Sequence, residues 1–89
     1  MTYAEFLLAT KGMPDTYLLA VAVSKKRVTS ITEVTLNDTD IILVTGTQHQ
    51  PLQLGEFSRL SLHDTAKLTL ASGKPVFGYR VAAENLILG

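Results

Sequence analysis

The sequence predicts a mainly β fold: a small antiparallel barrel or sandwich, internally duplicated, with one short N-terminal helix. Three observations predict it. Short apolar runs, Tyr17-Leu18-Leu19-Ala20-Val21-Ala22-Val23 and Ile41-Ile42-Leu43-Val44, have the length of strands buried on both faces. Turn-forming residues punctuate them at Asn37-Asp38, Asp64-Thr65 and Ser72-Gly73. The third observation is a phrase written twice, Thr32-Glu33-Val34-Thr35-Leu36-Asn37-Asp38-Thr39 and Ser58-Arg59-Leu60-Ser61-Leu62-His63-Asp64-Thr65. Each copy alternates hydroxyl, charge, aliphatic, hydroxyl and Leu, then turns into an apolar run that ends at Gly46 or Gly73. Many short strands joined by short turns favour a barrel or a sandwich.

Taken in order, Thr2-Tyr3-Ala4-Glu5 fits a capping box, with Thr at the N-cap and Glu three residues on. Tyr3, Phe6, Leu7 and Thr10 share one helical face, and Gly12 before Pro14 is a stop signal, so residues 3–11 read as a helix. An edge strand over residues 3–10 is the rival. Residues 17–23 form the first strand, and Ser24-Lys25-Lys26-Arg27 breaks it as a solvated hairpin connection or a charged guard against edge pairing. Residues 28–36 form the second, with Val34 and Leu36 on one face, and residues 41–44 the third. Residues 45–50 are a polar loop, and residues 51–54 an edge strand beginning at Pro51, where a missing N–H is tolerated. Residues 57–62, 67–71 and 76–81 continue the β pattern, and residues 85–88 complete the sheet.

At 89 residues the chain is one domain, 1–89, with repeated units over 32–57 and 58–81. A chain of this size buries only about 60–65% of the surface its unfolded form exposes. Without cysteine, neither a disulfide nor a thiolate metal site adds stability. A hydrophobic fraction of 46% supplies a globular core. Eight basic residues balance eight acidic ones. That balance argues against a dedicated nucleic-acid binder or an anionic membrane surface, and it removes a brake on self-association. No apolar run approaches the roughly 18 residues of a membrane span. The N-terminus lacks the basic region of a signal peptide, so a cytoplasmic protein is expected.

Candidate chemistry is sparse. His63-Asp64 beside Ser58 and Ser61 holds the ingredients of a hydrolytic triad. Neighbours on a strand or turn seldom point at one another, and Asn37 fills the position of His63 in the other copy. His49 and His63 lack the spacing of a metal site. Asn37-Asp38-Thr39-Asp40 lacks the Gly and distal Glu of a calcium loop. Gly73-Lys74 looks like the end of a phosphate loop, but Leu68 and Pro75 stand where that motif needs Gly and Ser or Thr.

Phe77-Gly78-Tyr79-Arg80-Val81 puts two rings on one side of a strand, with Lys74 and Arg80 nearby, as a sheet does when it stacks unpaired bases. These five residues resemble part of the strand motif of RNA-recognition domains. They lack the Arg/Lys-Gly that opens that motif, and the chain lacks that family's two-helix pattern. The competing assignment, Phe77 and Tyr79 as core aromatics with Arg80 on the solvated face, is favoured.

The favoured function is a non-enzymatic binding or assembly module acting through protein–protein contacts with a partner or itself, a homo-oligomer with no cofactor and no catalytic or metal residues. The surplus apolar side chains of residues 17–23 and 85–88 are candidates for burial between chains. The alternative is a single-stranded nucleic-acid-binding β-domain using Phe77, Tyr79, Lys74 and Arg80. A small hydrolase or metal enzyme using His49 or His63 comes third. The duplication predicts Val34, Leu36, Leu60 and Leu62 in the core, with Glu33 and Arg59 facing outward.

Overall fold

In the computed structural model, which describes residues 1–24, 27–46 and 50–89, helix α1 (Tyr3–Ala9) begins where the capping pattern places it. The Thr2 hydroxyl accepts from the Glu5 N–H at 3.2 Å, and the Glu5 carboxylate accepts from the Thr2 N–H at 2.9 Å. The helix stops at Ala9, two residues short of the expected end, where the Lys11 N–H bonds the Leu8 carbonyl three residues back at 3.4 Å and the Thr10 hydroxyl donates to the Phe6 carbonyl at 2.8 Å. Gly12 follows with φ +89°, a conformation that favours glycine.

Among the described residues six strands follow: β1 (Leu18–Ser24), β2 (Arg27–Leu36), β3 (Asp40–Thr45), β4 (Lys67–Leu70), β5 (Tyr79–Ala82) and β6 (Asn85–Leu88), with a one-turn helix α2 (Leu54–Ser58) between β3 and β4. Their order in the sheet is β4-β3-β2-β1-β6-β5. The β1–β2, β2–β3 and β5–β6 pairings are antiparallel, as expected. The β3–β4 and β1–β6 pairings are parallel, so the sheet is mixed. Parallel neighbours need a crossover, and for β3 and β4 the segment that carries α2 supplies it. Among the described residues the sheet is open, with β4 and β5 at its ends, and does not close into a barrel. Among the described residues, no helix is long and apolar enough to cross a membrane.

The core lies on one face of the sheet. Tyr3 and Phe6 of α1 and Leu54 and Phe57 of α2 pack against Leu19, Ile41, Leu43, Leu68 and Leu86, all of them buried. The Phe57 ring meets Tyr3 and Phe6 edge-to-face, with centroids 5.2 and 5.4 Å away, a favoured aromatic geometry. The Tyr3 phenol donates to the Phe57 carbonyl at 2.6 Å and satisfies its buried hydroxyl.

The largest departure from expectation lies over residues 51–62. Regular pairing of β1 with β2 ends at Ala20↔Ser30, and Leu52 takes up the next groups on both strands. Its carbonyl accepts from the Leu19 N–H at 2.9 Å, and its N–H donates to the Ile31 carbonyl at 2.8 Å. Residues 51–54 therefore wedge between two strands and do not form an edge strand. The chain then enters α2, where residues 57–62 were expected to be a strand. Period-two alternation at Leu60 and Leu62 is overridden because Phe57 reaches the aromatic cluster of α1 from a helix.

The two halves of the duplicated phrase thus differ. Thr32 to Leu36 lie in β2, whereas Ser58 ends α2 and Arg59-Leu60 is a turn. Leu36 is 56% exposed and Leu60 42% exposed, while Val34 and Leu62 are half-buried against the core. Leu36 pairs with Ile41 and shares its face, but it stands at the strand end, beyond the aromatic cluster. Glu33 and Arg59 are exposed, as the pattern requires. The strands that follow the two phrases, β3 and β4, lie side by side from Asp40↔Lys67 to Leu43↔Leu70, one residue out of step with the repeat.

Asn85 to Leu88 form an interior strand whose Leu86, Ile87 and Leu88 are buried within one chain, so β6 holds no surplus for a partner. In β1, Leu19 and Ala20 are buried, whereas Ala22 and Val23 are exposed. Lys25 and Lys26 of the basic run, and Thr47 to His49 of the polar loop, lie outside the described residues.

Candidate interaction surface

Residues 73–82 leave one edge of the sheet and arrive at the other. Gly73, at φ +93°, closes the turn after β4. Its N–H donates to the Leu70 carbonyl, and the Leu70 N–H donates to the Lys74 carbonyl, both at 2.8 Å. The Val76 N–H donates to the Leu68 carbonyl at 3.0 Å, and the Leu68 N–H donates to the Met1 carbonyl at 2.9 Å. Irregular chain, with Pro75 bridged to Thr69, therefore covers the outer edge of β4.

The edge of β5 is different. Gly78 and Gly89 exchange hydrogen bonds at 3.2 and 3.1 Å, and the Phe77 N–H also donates to the Gly89 carbonyl at 3.1 Å. Antiparallel alternation then assigns the next bonded pairs to Arg80–Ile87 and Ala82–Asn85. The N–H and C=O groups of Tyr79 and Val81 point away from β6. Among the described residues nothing pairs with them.

Beside this edge, Phe77 is 80% exposed. It was expected in the core with Tyr79. Pro75 and the doubled contact at Gly89 delay the regular strand until Tyr79, leaving Phe77 beyond its end. Tyr79 is half-buried: its ring lies 6.1 Å from that of Phe6, and its hydroxyl donates to the Ala9 carbonyl at 3.0 Å. Lys74 and Arg80 are exposed. One ring of the pair is therefore open and the other is committed to α1.

A second feature joins the turns that precede β3 and β4. A cleft of about 710 Å³ has Leu36, Ile41 and Leu62 as apolar lining and Asn37, Asp40 and His63 among its polar groups. Asn37 Oδ1 accepts from the N–H groups of Thr39 and Asp40 at 2.9 and 2.7 Å, an Asx turn. The His63 carbonyl accepts from the Ala66 N–H at 3.1 Å in the corresponding turn. Adjacency of these turns was missed, since β3 and β4 pair in parallel and no local turn joins them.

The triad ingredients are not brought together. The Ser58 hydroxyl donates to the Gly55 carbonyl at 3.0 Å within α2, and no side-chain hydrogen bond links Ser58, Ser61, His63 and Asp64 among the described residues. Ser61 holds φ +54°, uncommon for a residue with a side chain. The Tyr3 phenol is pushed above its ordinary pKa by burial, opposed by a backbone hydrogen bond at Leu62 and reinforced by the nearby Asp64 carboxylate. Among the described residues no three His, Asp or Glu side chains gather around one ion site, and His49 lies outside those residues. Comparison with protein families, with curated proteins and with solved structures returns no match to this chain.

Proposed function

We propose that this protein is a non-enzymatic binding or assembly module that works through protein–protein contacts and associates with itself. The observation that carries the reading is the bare β5 edge with Phe77 fully open beside it. An uncovered strand edge is a ready template for another chain, and a large exposed ring is a common interface anchor. Zero formal net charge leaves no long-range repulsion between copies. Light scattering across a wide range of protein concentration tests this. A mass that rises with concentration, or a constant multiple of the monomer, is expected; a monomer throughout that also captures no protein partner refutes it.

A second reading, single-stranded nucleic-acid binding, draws on the same open ring with Lys74 and Arg80 exposed on the same segment. It predicts salt-dependent binding that Phe77→Ala weakens by about 1–3 kcal/mol. The packed ring of Tyr79 counts against a two-base platform. Titration of labelled single strands that shows no salt-dependent binding removes this reading.

A further inference from the structure

We infer that two copies of this chain join edge to edge through β5, antiparallel, with Tyr79 of one copy opposite Tyr79 of the other. The inference rests on the self-association reading and names its interface. Hydrogen bonding is the first argument. The outward N–H and C=O groups of Tyr79 can exchange two bonds with those of the second Tyr79. Each Val81 N–H then meets the Phe77 carbonyl of the other copy, which has no donor among the described residues. The Phe77 N–H is already engaged with Gly89, so pairing ends at that residue.

The side chains supply the second argument. Phe77 and Val81 stand two residues to either side of Tyr79, and they are 80% and 46% exposed. A twofold axis at Tyr79 therefore brings each Phe77 against the Val81 of the other copy, so one strand supplies both halves of two identical apolar contacts. Such self-complementarity is what an isologous interface requires, and aromatic–aliphatic cross-strand pairs stabilise sheets.

Charge selects the register. With Tyr79 on the axis, Arg80 faces Gly78 of the other copy and meets no like charge. The neighbouring register that pairs Tyr79 with Val81 would set Arg80 against Arg80, and like charges directly opposite are unfavourable. The opposite end of the sheet offers no such template, because residues 1–2 and 74–76 already occupy the edge of β4.

The absence of cysteine allows a direct test. Phe77→Cys and Val81→Cys combined in one chain cannot bridge internally, since four strand steps separate them by about 13 Å, whereas the paired positions of two copies fall within disulfide reach. Mild oxidation should convert the double variant to a covalent dimer and leave each single variant largely uncrosslinked. Val81→Lys, and separately Phe77→Ser at a site that packs on nothing in the core, should weaken self-association at least about tenfold. Val28→Lys, exposed on another strand, should not. A wild-type protein that is oligomeric, unaffected by the edge variants and uncrosslinked by the double cysteine variant overturns this interface while leaving self-association standing. A wild-type protein that stays monomeric overturns both.

Discussion

Replacing Tyr3 by Phe removes one oxygen from the most buried corner of the molecule and should separate hydrogen bonding from packing there. Tyr3 is 1% exposed, and its phenol donates to the Phe57 carbonyl at 2.6 Å. That carbonyl also receives the Leu60 N–H at 3.3 Å, so it keeps a donor after the substitution. The Phe57 carbonyl is not orphaned, so the cost is the net worth of the phenol's own hydrogen bonding, about 1 kcal/mol. For a domain of this size that lowers Tm by about 4–8 °C. The ring remains and holds its edge-to-face contact with Phe57, whereas Tyr3→Ala also opens a cavity and should cost about 3–5 kcal/mol. Ionisation gives a second readout. Burial raises the Tyr3 pKa above its ordinary 10.0. Its contribution to stability is therefore complete below pH 10 and is lost as pH rises through the folded-state value. In Tyr3→Phe that part of the alkaline decline should vanish. Denaturant unfolding at pH 7 and through the alkaline range measures both effects. A variant as stable as wild type at pH 7, with the same alkaline limb, would refute the assignment of this hydroxyl to the core.

Four further outcomes are expected. Gly55→Ala should destabilise by about 1–3 kcal/mol in chemical denaturation, because a Cβ there would stand 2.8 Å from the Asp15 Cβ, where the Gly55 N–H also donates to the Asp15 carbonyl. Ala83→Gly should stabilise by about 0.5–1 kcal/mol in the same assay, since Ala83 holds φ +54° in the β5–β6 turn. Leu43→Ala, at a fully buried site, should cost about 2–5 kcal/mol, but Leu36→Ala less than about 1 kcal/mol because much of that side chain already meets water. Glu5 is held below its ordinary 4.5 by the Thr2 N–H and then by the Thr2 hydroxyl. Its contribution is thus present above that pH and lost as pH falls through the lower folded-state value, so melting curves of Glu5→Gln should lack this part of the acid decline.

Where a signal and its partner lie within a few residues, the sequence alone determined the structure. Thr2 and Glu5 are three residues apart, and both of their bonds form; Asn37 turns the chain through its own neighbours; Gly73 supplies the positive φ its hairpin needs. The apolar runs became β1, β2, β3 and β6 because alternation and length report burial without reference to a partner. Residues 51–62 went otherwise. Residues 51–54 and 57–62 read as strands, yet the chain forms α2, where the Glu56 carboxylate accepts from the Gln53 N–H at 3.1 Å. The Leu60-Leu62 alternation spoke for a strand, and only the tertiary structure overrode it. Leu52 had to bond Leu19 and Ile31, and Phe57 had to reach Tyr3 and Phe6, partners more than 20 residues away in the chain. The exposure of Phe77 has the same origin: a ring is core or surface according to where Gly89 and Val76 anchor the segment around it. Parallel neighbours such as β1 and β6 leave no local mark at all, because no turn joins them and only the shared core brings them together.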